Sequence, residues 1–210
     1  MYLTRLQINM ASYETMRVMN SQERLHALVE KAIEGQAERG LWRLDTLNGD
    51  TYLMLLSGQM PDLRDAQRQI GFANRPAESR DYSPLLARIQ QNSTWHFRLT
   101  ANPTQSIQTE KGERGRVKAV TTAPGQREWL LRQADKHGFA LFEDSFDVVQ
   151  SEWKKFFKAG ERGRPVTLLQ ATFEGVLQVT DAEAFRWALL HGLGRAKAYG
   201  MGLLTVVRHG

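Results

Sequence analysis

The 210-residue chain contains no cysteine. That absence excludes disulfides, thiolate nucleophiles, Cys-ligated zinc and iron–sulfur clusters, and it permits a reducing compartment. Long hydrophobic runs are missing as well. Leu203–Val207 is among the longest, far short of the roughly 18 residues that mark a membrane span. The first ten residues alternate in character and lack the apolar core of a signal peptide. A cytoplasmic protein with no membrane partner is expected. Metal-ligand spacing is also absent: His26, His96, His137, His191 and His209 form no His-x-x-x-His pair, and no carboxylate set has recognisable metal spacing. No metal site and no cofactor are expected.

What is present is ordinary globular composition, 41% hydrophobic and 24% charged, on a length that suits one large domain or two of roughly 100 residues. The 28 Lys and Arg exceed the 23 Asp and Glu, a formal charge of +5. Residues 1–105 carry 12 basic and 11 acidic side chains, and residues 106–210 carry 16 and 12. The excess is mild, and it collects in the second half.

Tyr2, Thr4, Leu6, Ile8 and Met10 alternate with Leu3, Arg5, Gln7 and Asn9, which predicts a half-buried strand. Asn20 followed by Glu23 has capping-box spacing, and Leu25, Leu28, Val29, Ala32, Ile33 and Ala37 behind it recur with helical period up to Gly40. Leu41–Leu44 and Thr51–Leu56 flank Asn48-Gly49-Asp50, a hairpin signal, and a short helix is predicted from Pro61 through Ile70. The strand that would complete this β-α-β-β-α order is not marked in residues 71–93, where Asn74, Pro76, Pro84 and Asn92 indicate loop or linker. The second half repeats the order. Trp95–Leu99 predicts a strand, a helix carries Trp129, Leu130 and Ala134, and Phe139–Val149 is a strand candidate. Val166–Val179 is a long β-branched strand, Asp181 caps a helix, and Leu203–Val207 closes the chain. The expectation is an α+β protein of two tandem ferredoxin-like (βαββαβ, RRM-like) domains with antiparallel sheets, residues 1–90 and 91–210.

Three segments can carry chemistry. Lys111, Arg114, Arg116 and Lys118 form one basic cluster, and Lys154, Lys155, Lys158, Arg162 and Arg164 form another. Both are expected in glycine-containing connections, where they are either solvated loops or arms that track a phosphate backbone. Two such arms on one sheet domain favour RNA, whose helices are read largely by shape and phosphate contacts. Third, Gly192, Gly194, Gly200 and Gly202 enclose Arg195 and Lys197. This loop joins a helix to a strand, the reverse of a dinucleotide fingerprint, and lacks the Gly-Lys-Ser/Thr of a P-loop. It is either a packing loop or a close approach for phosphates. His26 lies one residue beyond apolar Leu25, so it falls on the flank of the predicted helix, where an imidazole can reach a ligand.

The N-terminal Met-Tyr-Leu-Thr-Arg-Leu strand, Leu25-His26, Phe97-Arg98-Leu99-Thr100-Ala101-Asn102-Pro103, Phe173–Val179 and the Gly192–Leu204 loop occur in that order. Together they resemble the CasE-type CRISPR RNA-processing endoribonucleases of type I-E systems, in the RAMP superfamily, over essentially the whole chain. The resemblance implies a metal-independent ribonuclease that cuts the repeat hairpins of precursor CRISPR RNA and stays on the product as a Cascade subunit. It also implies an acid/base role for His26. Some relatives carry a tyrosine three residues earlier, where this chain has Glu23, so the second catalytic group stays open. Two other readings remain open. One is a non-catalytic RNA-binding subunit of a CRISPR ribonucleoprotein, and the other is a ferredoxin-like regulatory domain for a small ligand.

Overall fold

In the first strand, β1 (Tyr2–Ile8), Thr4, Leu6 and Ile8 are buried on one face, as the alternation requires. The computed structural model describes residues 1–37, 39–107, 116–157 and 165–209. Two short helices follow, α1 (Tyr13–Met19) and α2 (Gln22–Ala32). α1 carries only Thr15 and Val18 inward, too little apolar signal for the sequence to reveal it. The cap of α2 is Ser21, whose hydroxyl accepts from the Arg24 amide at 3.3 Å. Asn20 instead closes α1. The capping box expected from Asn20 and Glu23 therefore does not form. Glu23 is an exposed first-turn residue whose charge suits the helix N-terminus.

Strands β2 (Leu41–Leu47) and β3 (Asp50–Ser57) meet at Asn48 and Gly49, both with positive φ (52° and 85°), a two-residue turn matched to the twist of a hairpin. α3 (Arg64–Ile70) starts three residues beyond the predicted Pro61. β4 (Glu78–Asp81) then pairs antiparallel with β1, so that residues 71–93 do supply a strand. α4 (Ser83–Ala87) follows. The sheet order β2-β3-β1-β4 is that of a ferredoxin-like unit. Leu25, Leu28 and Val29 of α2 and Ala66 and Ile70 of α3 cover Leu6, Ile8, Trp42, Leu53 and Leu55 of the sheet. Burying the three α2 side chains contributes roughly 5–9 kcal/mol of gross hydrophobic stabilisation, which anchors the helix that bears His26.

The second sheet is built from β5 (Thr94–Ala101), β8 (Phe139–Ala140), β9 (Phe146–Phe156), β10 (Val166–Val179) and β11 (Leu204–Arg208), with α5 (Ala123–Lys136) and α6 (Ala182–His191) as its helices. Between β5 and α5, β6 (Thr104–Ile107) pairs with β7 (Arg116–Ala119) in a separate two-stranded ribbon. The order β11-β5-β10-β8, with β9 also paired to β10, repeats the ferredoxin arrangement. The single strand expected over Phe139–Val149 is thus two strands, parted by a turn in which the Ser145 amide donates to the Phe142 carbonyl at 3.0 Å. Asp181 caps α6 as expected, its Oδ1 accepting from the Glu183 and Ala184 amides at 2.9 and 3.0 Å.

The chain divides into two compact units. One comprises Met1–Arg88, the described residues of Phe156–Val166 and Lys197–Gly200, and the other comprises Ile89–Lys155, Thr167–Ala196 and Met201–Gly210. Among the described residues no helix is long and apolar enough to cross a membrane.

Candidate functional site

Leu25, Leu28 and Val29 face the core of the first unit, and the 3.6-residue period then sets His26 on the flank of α2. Its side chain is 29% exposed. Among the described residues Nδ1 is buried and makes no hydrogen bond; Glu30 Oε1, one turn on, is 3.7 Å away. The ring of Tyr199 lies against His26 with centroids 6.1 Å apart and planes tilted by 53°. Tyr199 ends a single 3-10 turn, Lys197–Tyr199, in the glycine loop.

All four glycines of that loop have positive φ. At Gly200 (φ +74°) the requirement is double, because a Cβ there would lie 2.7 Å from Cζ3 of the buried Trp42 ring. The chain can pass Trp42 only as glycine. Lys197 and Gly200 belong to the first unit with His26, whereas Gly192, Gly194, Arg195 and Gly202 belong to the second. Burial, and then the nearby Arg39 charge, hold the Lys197 ammonium below the ordinary lysine value. A cation already partly desolvated gives up less hydration when it meets an anion.

The basic clusters are not simple connections. Arg116 and Lys118 are exposed residues of β7, and Lys154 and Lys155 lie within β9. Strand alternation separates the last two: Lys154 is half-buried and pairs with Glu152 at 2.8 Å, while Lys155 is exposed. Lys111, Arg114, Lys158, Arg162 and Arg164 lie outside the described residues. Among the described residues no three His, Asp or Glu side chains are grouped to hold a metal ion.

His26 and Tyr199 are separated by most of the chain, and no spacing in the sequence connects them. Residues 1–208 match the family described as CRISPR associated protein. The chain belongs to that family. Its relatives make it a CasE-type member. The CRISPR-associated endoribonuclease Cse3 of Thermus thermophilus is 29% identical over 222 residues, 98% of this chain and 99% of that protein. The CRISPR system Cascade subunit CasE of Escherichia coli K12 is 32% identical over 125 residues, 56% of this chain and 60% of that one. A solved structure of the endoribonuclease Cse3 bound to a 19-nucleotide RNA matches 99% of this chain and 100% of its own, at 26% identity and a TM-score of 0.82. Another, of Thermus thermophilus Cse3 bound to an RNA representing a pre-cleavage complex, matches 98% of both chains at 26% identity and a TM-score of 0.79. The tandem ferredoxin-like fold read from the sequence is that of these CasE-type relatives.

Proposed function

We propose that the protein is an endoribonuclease that cuts the repeat hairpins of precursor CRISPR RNA without a metal ion, then keeps the product as a subunit of a cytoplasmic Cascade complex. The observation that carries this reading is His26, held on the flank of a core-anchored helix in a chain matched end to end by an RNA-bound endoribonuclease. In the reaction a base takes the proton of a 2′-hydroxyl, whose oxygen attacks the adjacent phosphorus, and an acid protonates the departing 5′-oxygen. The products are a 5′-hydroxyl and a 2′,3′-cyclic phosphate or its 3′-phosphate hydrolysis product. His26 is the acid/base group. Cations hold the extra negative charge of the pentacoordinate phosphorus, a role for which the pre-desolvated Lys197 is suited. Arg116, Lys118, Lys155 and Arg195, all exposed, provide phosphate contacts, together with Lys154, Lys111, Arg114, Lys158, Arg162 and Arg164.

The test is a 5′-labelled repeat hairpin incubated with the wild-type protein in excess EDTA. Cleavage to a product with a cyclic or 3′ phosphate is expected. A hairpin that binds and stays intact would identify a non-catalytic RNA-binding subunit, and no binding would end the RNA reading. Neutralising Lys111, Arg114, Arg116 and Lys118 together is expected to flatten the dependence of log Kd on log salt, by about 0.7–0.9 for each phosphate that the variant no longer neutralises. An unchanged slope would mean that the cluster is an ordinary solvated surface that RNA does not touch.

A further inference from the structure

The orientation of the His26 ring needs a cause, since a proton is exchanged efficiently only across a hydrogen bond of defined geometry. The usual cause is a hydrogen bond from the far ring nitrogen to a carboxylate or carbonyl. Here Nδ1 has none among the described residues, and Glu30 stands at 3.7 Å. What does touch the ring is Tyr199, at a distance and tilt inside the range of favourable aromatic pairs. Tyr199 is itself fixed. A second aromatic ring beside it is that of Phe156, with centroids 4.5 Å apart and planes tilted by 50°, and Phe156 is buried. Two left-handed residues, Ala196 (φ 62°) and Gly200 (φ 74°), bracket the 3-10 turn that carries it, and Gly200 is pressed to the Trp42 ring. All of these except Ala196 belong to the first unit.

We infer that Tyr199 is a positioning residue for the cleavage reaction: its ring is the wall that sets the His26 imidazole in its reactive orientation. The inference rests on the acid/base role proposed for His26. It gives the glycine loop a task apart from holding phosphates, and it requires the tyrosine ring but not the hydroxyl.

The experiment compares Tyr199→Phe, Tyr199→Leu and Tyr199→Ala in single-turnover cleavage of the labelled hairpin, with hairpin affinity measured alongside. Tyr199→Phe is expected to cut at the wild-type rate. Tyr199→Ala and Tyr199→Leu are expected to lose about 10²-fold in rate, the cost of a misplaced catalytic group, at unchanged affinity; retained affinity also shows that each variant is folded. In a His26→Ala background, Tyr199→Ala is expected to cause no further loss, since the two side chains act as one unit. Wild-type rates in both Tyr199→Ala and Tyr199→Leu would overturn the inference, and so would a Tyr199→Phe variant as slow as the alanine one. Undiminished cutting by His26→Ala would instead remove the acid/base assignment beneath it. The two failures are therefore separable.

Discussion

His26→Ala is expected to slow single-turnover cleavage of the repeat hairpin by about 10²–10⁴-fold, equivalent to roughly 3–5 kcal/mol of lost transition-state stabilisation. The rate falls because the reaction needs a proton moved at each of two oxygens, and alanine moves none. Affinity for the hairpin is expected to stay within about twofold, because binding is dominated by contacts to phosphates, which the proposed function gives to the lysines and arginines. The stability of the protein should also change little. The imidazole lies on the helix flank, 29% exposed, and its buried Nδ1 gives up no hydrogen bond among the described residues. The measurement is a pair of curves, product against time at saturating enzyme and bound fraction against enzyme concentration. Cleavage at the wild-type rate would show that another group carries the proton.

The largest expected effect on stability lies elsewhere in the first unit. Arg43 and Asp45 sit two apart on β2, so their side chains leave the same face of the strand. Their side chains are 2% and 5% exposed, and they meet through two hydrogen bonds, Nε to Oδ1 and Nη2 to Oδ2, each 2.7 Å. Paired, charge-assisted hydrogen bonds of this kind are roughly twice as strong as neutral ones. Asp45→Ala removes the anion and keeps the buried guanidinium, which is expected to cost about 3–5 kcal/mol. It should appear as a lower midpoint in a urea titration followed by circular dichroism. Replacing both residues by apolar ones, Arg43→Met with Asp45→Leu, is expected to recover most of that loss, because no charge is then left in the interior. A single Asp45→Ala variant as stable as the wild type would show that the pair contributes nothing.

Elements with strong apolar periodicity are legible in the sequence. The alternation of β1, the helical stripe of α2 and the β-branched run of β10 each announce what they bury. The elements that escape are those that bury little. β4 reads Glu-Ser-Arg-Asp and lies at the edge of its sheet, with three of its four residues exposed. α1 turns only Thr15 and Val18 inward, and the β6–β7 ribbon has no buried residue in either strand. The basic segments read as connections because lysine and arginine resemble loop composition, yet a ribbon or a strand that buries one face or none accepts them equally well. The same limit applies at the site. His26 on a helix flank is legible from local spacing, and the demand for glycine in the loop is visible as a run of residues tolerant of positive φ. The meeting of His26 with Tyr199 is not, because it depends on the tertiary fold and on a Trp42 ring that admits only glycine at position 200.

The division of the chain bears on how the protein is made. The unit that holds His26 is assembled from three separate stretches, the last of them Lys197–Gly200. A ribosome must therefore add every residue from Ala27 to Tyr199 before the imidazole gains its aromatic neighbour. The nascent chain, with its first ferredoxin-like sheet already encoded, carries the histidine without its wall. The pairing of the two rings should accordingly form only after Tyr199 has been added to the chain.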